Sequence, residues 1–175
     1  DYIIKSNLQI ADSVFKMILE GDTSSLTAPG QFINIKIDGL YLRRPISVCD
    51  YDDKTITIIY KVVGKGTEQM AKMTAGEELN ILTGLGNGYD ISLSGDKPLL
   101  LGGGVGVPPL YMLCKQLIAE GKKVSVVLGF NTKDEIFCEE DFKALGAEVF
   151  VTTVDGSYGI KGFVTDAMKD IDYSY

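Results

Sequence analysis

Apolar and polar positions alternate through the first half of the chain. Phe15, Met17 and Leu19 interleave with Lys16, Ile18 and Glu20; Ile33, Ile35 and Ile37 with Asn34 and Lys36; Thr55, Thr57 and Ile59 with Ile56, Ile58 and Tyr60. A period of two predicts half-buried strands. Turn-forming clusters separate them at Gly21-Asp22-Thr23-Ser24-Ser25, Pro29-Gly30, Asp38-Gly39 and 50–54, the spacing of a small antiparallel barrel or sandwich. One short helix fits between them, over Thr67 to Met73, with Thr67 as its N-cap.

From about residue 96 the period changes. An apolar run bounded by Pro98 and Gly102 predicts a buried strand, and the glycines after it open into a helix from about Val107 to Glu120 that stops at Gly121. Leu110, Leu113, Leu117 and Ile118 supply its apolar face, and Pro108 and Pro109 fit its first turn, where a missing N–H costs nothing. Strands over Lys123–Gly129 and Glu148–Val154 alternate with helical segments over Asp134–Gly146 and Phe163–Ile171. Such alternation means a doubly wound parallel sheet. The expected organisation is an all-β barrel domain over 1–95 followed by an α/β domain over 96–175, with the glycine-rich crossing 83–89 and Leu93-Ser94-Gly95-Asp96 between them.

Composition narrows the chemistry. The chain has 175 residues, 45% of them hydrophobic, enough to bury a sizeable core. No apolar run approaches the roughly 20 residues of a membrane helix, and the first residues lack the pattern of a signal peptide, so the cytoplasm is the expected location. A net charge of −7 argues against a nucleic-acid partner. Histidine is absent, which removes Ser-His-Asp and Cys-His hydrolysis. Cys49, Cys114 and Cys138 form no Cys-x-x-Cys pair, so no zinc or iron–sulfur motif is written here.

Three stretches stand out. Lys97 to Leu113 contains Gly-Gly-Gly-Val-Gly-Val-Pro-Pro between a strand and a helix, where bare backbone N–H groups can meet a phosphate. It is not the dinucleotide fingerprint, because Val107 or Pro109 stands where the third glycine belongs. Leu42-Arg43-Arg44-Pro45-Ile46-Ser47 sets adjacent guanidinium groups at a strand entry, an arrangement suited to gripping phosphate. Val62-Val63-Gly64-Lys65-Gly66-Thr67 leads from a strand into the short helix and offers a second anion seat. Each has a plain structural reading beside it: close packing, solvated arginines, an N-capped turn.

Arg-Pro-Ile-Ser, then Gly-Lys-Gly-Thr, then the glycine run resemble, in order and over essentially the whole chain, the ferredoxin-reductase superfamily. Within it the pattern is most similar to the electron transfer subunits of bacterial dihydroorotate dehydrogenase. The resemblance implies that Arg44 holds the pyrophosphate of FAD, that Pro45 and Ile46 shape the wall beside the flavin, and that Ser47 points a hydroxyl at the ring's reactive edge. Ile59, Tyr60 and Lys61 would line the other side, and Gly66 and Thr67 would take the phosphate at the helix start. Gly103, Gly104 and Gly106 would face the nicotinamide nucleotide. An aromatic residue often stands at the place of Ile46 in the wider superfamily; here one stacking contribution is missing.

The resemblance further implies hydride exchange between NAD and flavin, then single-electron transfer through a 2Fe-2S cluster to a dihydroorotate dehydrogenase catalytic subunit, in a heterotetramer. No side chain is expected to act as a catalytic acid or base. Family members continue with a Cys-Gly-Pro segment and a C-terminal cysteine cluster, whereas this chain stops at Tyr173-Ser174-Tyr175, where another strand should begin. As written it is expected to bind no cluster and to hold NAD weakly. A related reductase subunit serving sulfite, a hydrogenase or a ferredoxin-like acceptor would carry the same nucleotide motifs, and in a non-catalytic nucleotide-binding module the glycine turns would serve structure.

Overall fold

The computed structural model describes residues 1–174, and Tyr175 lies outside the described residues. The chain forms two compact units, Asp1–Tyr89 and from Asp90 onward.

In the first unit, β1 (Tyr2–Ala11), β2 (Val14–Glu20), β3 (Phe32–Ile35), β4 (Arg44–Tyr51), β5 (Thr55–Lys61), β6 (Glu78–Leu79) and β7 (Ile81–Leu85) make one antiparallel sheet in the order β6-β1-β2-β5-β4-β3-β7. The two edge strands β6 and β7 are consecutive in the chain and separated by Asn80 alone, so the sheet curls into a nearly closed barrel whose seam runs through that residue. Closure removes the exposed edges that an open sheet would present. Met17, Leu19, Ile33, Ile35, Ile56 and Ile58 are fully buried at its centre, the inward halves of the alternating runs.

The helix α1 (Lys65–Met70) begins two residues earlier than the pattern predicted. Gly64 is extended (φ 173°) and precedes it, and Thr67 is the third helical residue, not the N-cap. The Thr67 hydroxyl reaches back to accept from the N–H groups of Val63 (2.9 Å) and Gly64 (3.2 Å) and donates to the Gly64 carbonyl (3.0 Å). A threonine at the third helical position thus reaches back to close the turn that enters the helix, as the third residue of a capping box does.

The second unit holds a parallel sheet of β8 (Leu99–Gly103), β9 (Ser125–Phe130), β10 (Glu148–Thr153) and β11 (Ile160–Lys161), in the order β11-β10-β9-β8. Its helices are α2 (Pro109–Ala119), α3 (Glu139–Leu145) and α4 (Val164–Ala167). A Cβ on Gly102 would lie 2.8 Å from Leu110 of α2, and one on Gly129 would lie 2.5 Å from Val164 of α4. Gly129 pairs with Gly103, the neighbour of Gly102, and adjacent strand positions face opposite ways. So α2 and α4 cover opposite faces of the sheet, as double winding requires.

Two predicted helices are shorter than their patterns. The stretch 134–146 breaks into a 3-10 turn (Lys133–Glu135) and α3, because Phe137 is drawn down to stack edge-on against Phe130 of β9 (5.3 Å, 69°) and Cys138 takes a left-handed conformation (φ 65°). The last helix is α4 followed by a 3-10 turn at Met168–Asp170.

Candidate functional site

The barrel sheet is split on one side. β4 and β5 pair at Tyr51–Ile56, Asp50–Thr57 and Val48–Ile58, with Cys49 bulged between them, and their ladder ends there. Beyond it Arg44–Ser47 stay paired with β3, while Ile59–Lys61 stay paired with β2. A bulge sharpens the local twist and bends its strand. The two strands therefore part, and the residues facing each other across the parting are those named from the motifs: Arg44, Pro45, Ile46 and Ser47 on one lip, Ile59, Tyr60 and Lys61 on the other. Pro45 is exposed, Ile46 packs partly on the barrel core, Ser47 is half-buried and Ile59 is buried.

The adjacent arginines have different jobs. Arg43 Nη1 donates to the carbonyls of Asn34 (3.2 Å) and Asn80 (3.1 Å), and its Nη2 to the Asn80 side chain. It staples the barrel seam. Arg44 instead lies over the first turn of α1: a Cβ on Gly66 would sit 2.2 Å from Arg44 Nε. Gly66 is buried, and only the absence of its side chain lets the guanidinium occupy that place. Arg44 Nη1 donates to the carbonyls of Leu42 (2.6 Å) and Arg43 (3.4 Å). A guanidinium held against main chain with further N–H groups to give, beside the N–H groups of a helix's first turn, suits a pyrophosphate.

Thr67 contributes differently from expectation. Its hydroxyl is committed inside the turn, so what the position can offer a phosphate is its N–H. Tyr60 also differs. Its ring is buried and stacks on Phe15 (5.8 Å, 20°), and its hydroxyl donates to Asn7 Oδ1 (3.0 Å). Burial pushes this phenol up to about 12, against the opposing pull of the Asn7 bond, so it remains a neutral donor at ordinary pH. With its side chain inside the barrel, residue 60 faces the parting through its main chain.

In the second unit, the glycine run joins β8 to α2. Gly104 has φ +51° and starts a 3-10 turn over Gly104–Gly106; Pro108 and Pro109 then open α2. A Cβ at Gly104 or Gly106 would touch nothing within 4 Å, and one on Gly103 would only graze the Gly129 carbonyl at 3.8 Å. Gly103 and Gly106 are exposed. Packing explains Gly102, which abuts Leu110, but asks for none of these three, so bare backbone facing outward is what they provide. The β10 end of the sheet carries Asp155, whose carboxylate accepts from the N–H (2.9 Å) and hydroxyl (2.7 Å) of Ser157 and is held below the usual carboxylate range by those bonds.

Cys49, Cys114 and Cys138 are each buried, and no group of three metal-ligating side chains occurs among the described residues. Burial pushes the Cys114 thiol up to about 12. These cysteines do not fit an iron–sulfur cluster. No helix is long and apolar enough to cross a membrane among the described residues.

Asn7 and Gln31 were not legible as site-related. Gln31, buried, accepts from the N–H groups of Thr27 (2.7 Å) and Ala28 (3.0 Å) and donates to the Gly86 carbonyl (3.1 Å), fixing the glycine crossing 84–89 to the barrel. Gln31 bonds two near neighbours and one distant glycine, and neither residue lies in a motif.

Residues 100–173 match the oxidoreductase NAD-binding domain family. Over nearly its whole length the chain is similar to the electron transfer subunit of dihydroorotate dehydrogenase B (NAD(+)) of Fusobacterium nucleatum subsp. nucleatum, 48% identical over 98% of this chain and 69% of the relative. The subunit of the same name from Bacillus pumilus is 46% identical, over 98% and 69%. Among solved structures, that of an NADH-dependent reduced ferredoxin–NADP oxidoreductase, described for flavin-based electron bifurcation, superposes with a TM-score of 0.86 at 34% identity. It covers 96% of this chain and 62% of that one. Identity at this level across both units, with Arg44 seated on Gly66 and the open glycine loop in place, leads to one conclusion: the chain belongs to the family of electron transfer subunits of dihydroorotate dehydrogenase B.

Proposed function

We propose that this chain binds FAD between β4, β5 and α1, takes electrons from NADH through the loop after β8, and passes them to a dihydroorotate dehydrogenase catalytic subunit in the cytoplasm, within a heterotetramer. The observation that carries the reading is the guanidinium of Arg44 lying where a side chain on Gly66 would be. Flavin and nicotinamide, when bound, supply the two-electron and one-electron chemistry. The protein's part is placement.

Arg44 would neutralise the pyrophosphate together with the first N–H groups of α1. Ser47 would offer its hydroxyl to the flavin edge, with Pro45, Ile46, Ile59 and the main chain of Tyr60 and Lys61 excluding water around the ring. Gly103, Gly104 and Gly106 would let the nicotinamide nucleotide approach the backbone and be released again. Alignment of reactants of this kind accounts for much of the barrier an enzyme removes, and it needs no acid or base from the chain. A 2Fe-2S cluster would need ligands other than Cys49, Cys114 and Cys138, which are buried and form no ligand group among the described residues.

Purified protein reconstituted with FAD is expected to turn yellow and retain flavin through gel filtration; colourless protein defeats the reading. Co-purification with a dihydroorotate-oxidising subunit, in preference to sulfite-reducing or hydrogenase partners, tests the acceptor.

A further inference from the structure

Asn7 of β1 links three places at once. Its side-chain amide donates to the carbonyls of Met70 (2.9 Å) and Met73 (3.0 Å), at and just beyond the end of α1, and its oxygen accepts from the Tyr60 hydroxyl of β5 (3.0 Å). Both donors of the amide are used, which also fixes which way it points. These partners lie 53 to 66 residues away in the chain.

The helix tied down in this way is the one that carries Gly66. At six residues α1 is far shorter than a helix that stands alone, so tertiary contacts must hold it. Met70 is fully buried in the barrel core, but apolar contact has no direction and leaves the helix free to rotate or slide by fractions of a turn. Hydrogen bonds are directional, and those from Asn7 lock the depth and rotation of α1. Because the same amide holds Tyr60, it ties that setting to the β5 lip of the parting.

We propose that Asn7 is a positioning residue for the cofactor seat, one that sets the place of Gly66 and the first turn of α1 relative to the Ile59–Lys61 lip while touching no cofactor atom. The proposal rests on the reading of that seat as the FAD site. It also gives Tyr60 a role: its hydroxyl orients the amide from below.

The test compares Asn7→Leu and Tyr60→Phe with Tyr2→Phe, which deletes a hydroxyl at the other end of β1, where it bonds the Asp22 carbonyl and Thr83. Three readouts are taken: hydrogen exchange of residues 62–70 without FAD, FAD Kd by titration, and the shape of the bound flavin's visible absorption. Asn7→Leu is expected to speed exchange across 62–70, weaken FAD about tenfold and blur the absorption fine structure, with Tyr60→Phe doing the same about threefold. Tyr2→Phe is expected to lower Tm with Kd and spectrum unchanged. Folded Asn7→Leu protein with wild-type exchange and Kd overturns the proposal, as does an equal loss of affinity in Tyr2→Phe. Should Asn7→Leu fail to fold, Tyr60→Phe decides by the same criteria. If wild-type protein binds no FAD while exchange still responds to Asn7→Leu, the cofactor reading fails and the control of α1 by Asn7 is upheld.

Discussion

The seat between β4 and β5 is made of committed side chains, whereas the loop after β8 is bare main chain. In the first, Arg44 is wedged over Gly66, the Thr67 hydroxyl is engaged three ways, and Asn7 ties the helix end to Tyr60. In the second, Gly104 and Gly106 have nothing within 4 Å of a would-be side chain. A preorganised pocket loses little ordering entropy when it binds and suits a ligand that stays. An open backbone track gives few contacts and suits one that must leave on every turnover. The contrast matches a resident flavin and a travelling nicotinamide.

The strongest way to break this comparison is at Arg44. Arg44→Ala should weaken FAD about 100-fold, as expected for loss of a charge-assisted phosphate grip, with apoprotein Tm little changed. Arg43→Ala should do the reverse, lowering Tm by about 4–8 °C through the opened seam while Kd moves far less. Flavin titration and thermal melts on both variants check this; equal losses of Kd would mean the two arginines share the site.

Next comes Gly66→Ala. Its Cβ must push the guanidinium aside, so FAD affinity should fall about tenfold, yet alanine is better than glycine inside a helix by about 1 kcal/mol, and the apoprotein should be no less stable. A variant that loses function while keeping or gaining stability separates a binding glycine from a packing one.

In the second unit, Gly106→Ala and Gly103→Ala add a methyl group where the protein has room. FAD retention and Tm should hold, while the KM for NADH in flavin reduction rises about 3- to 10-fold through lost backbone approach. Stopped-flow reduction measures it, and an unchanged KM would leave the loop a structural turn. Gly104 is a poorer probe, since its φ of +51° strains any substituted side chain.

The smallest expected effect concerns alkaline pH. Tyr60 is raised in the folded state, chiefly by burial, to about 12, above the ordinary value of 10. The folded state therefore holds this proton more tightly, and the stability it contributes is complete below pH 10 and lost as pH rises toward 12. Unfolding midpoints across that range should fall in the wild type and fall less in Tyr60→Phe.

Much of this was legible in sequence. The alternation of Met17, Leu19, Ile33, Ile35, Ile56 and Ile58 marks the strands that become the core, and the glycine run after Leu101 marks the strand-to-helix turn. What was not legible depends on contacts across long separations. The resemblance gives Arg44 a task and is silent on Arg43, whose work appears only where the barrel closes at Asn80. Thr67 looks like a cap from its place after the glycine turn, but the helix starts earlier and its hydroxyl turns back on Val63 and Gly64. The helix pattern over 134–146 is sound locally and yields because Phe137 gains more by burial against Phe130. Tyr60 alternates like any strand residue, and nothing local says that its hydroxyl meets Asn7.

The single extra residue at Cys49 has a consequence for how this barrel can change. A bulge takes up one extra residue, bends its strand, and leaves the pairing on either side in register with the partner strand. Deleting Cys49 would leave Val48 opposite Ile58 and Asp50 opposite Thr57, as now, but would remove the bend and the extra twist, so that the ladder could carry on past Val48 and join the two lips. Every side chain of β4 would keep its face, and the opening between the lips would close at one stroke. Substitutions in the lips can be tolerated or tuned one at a time, but the length of β4 cannot, and variation among functional forms of this chain should spare that count.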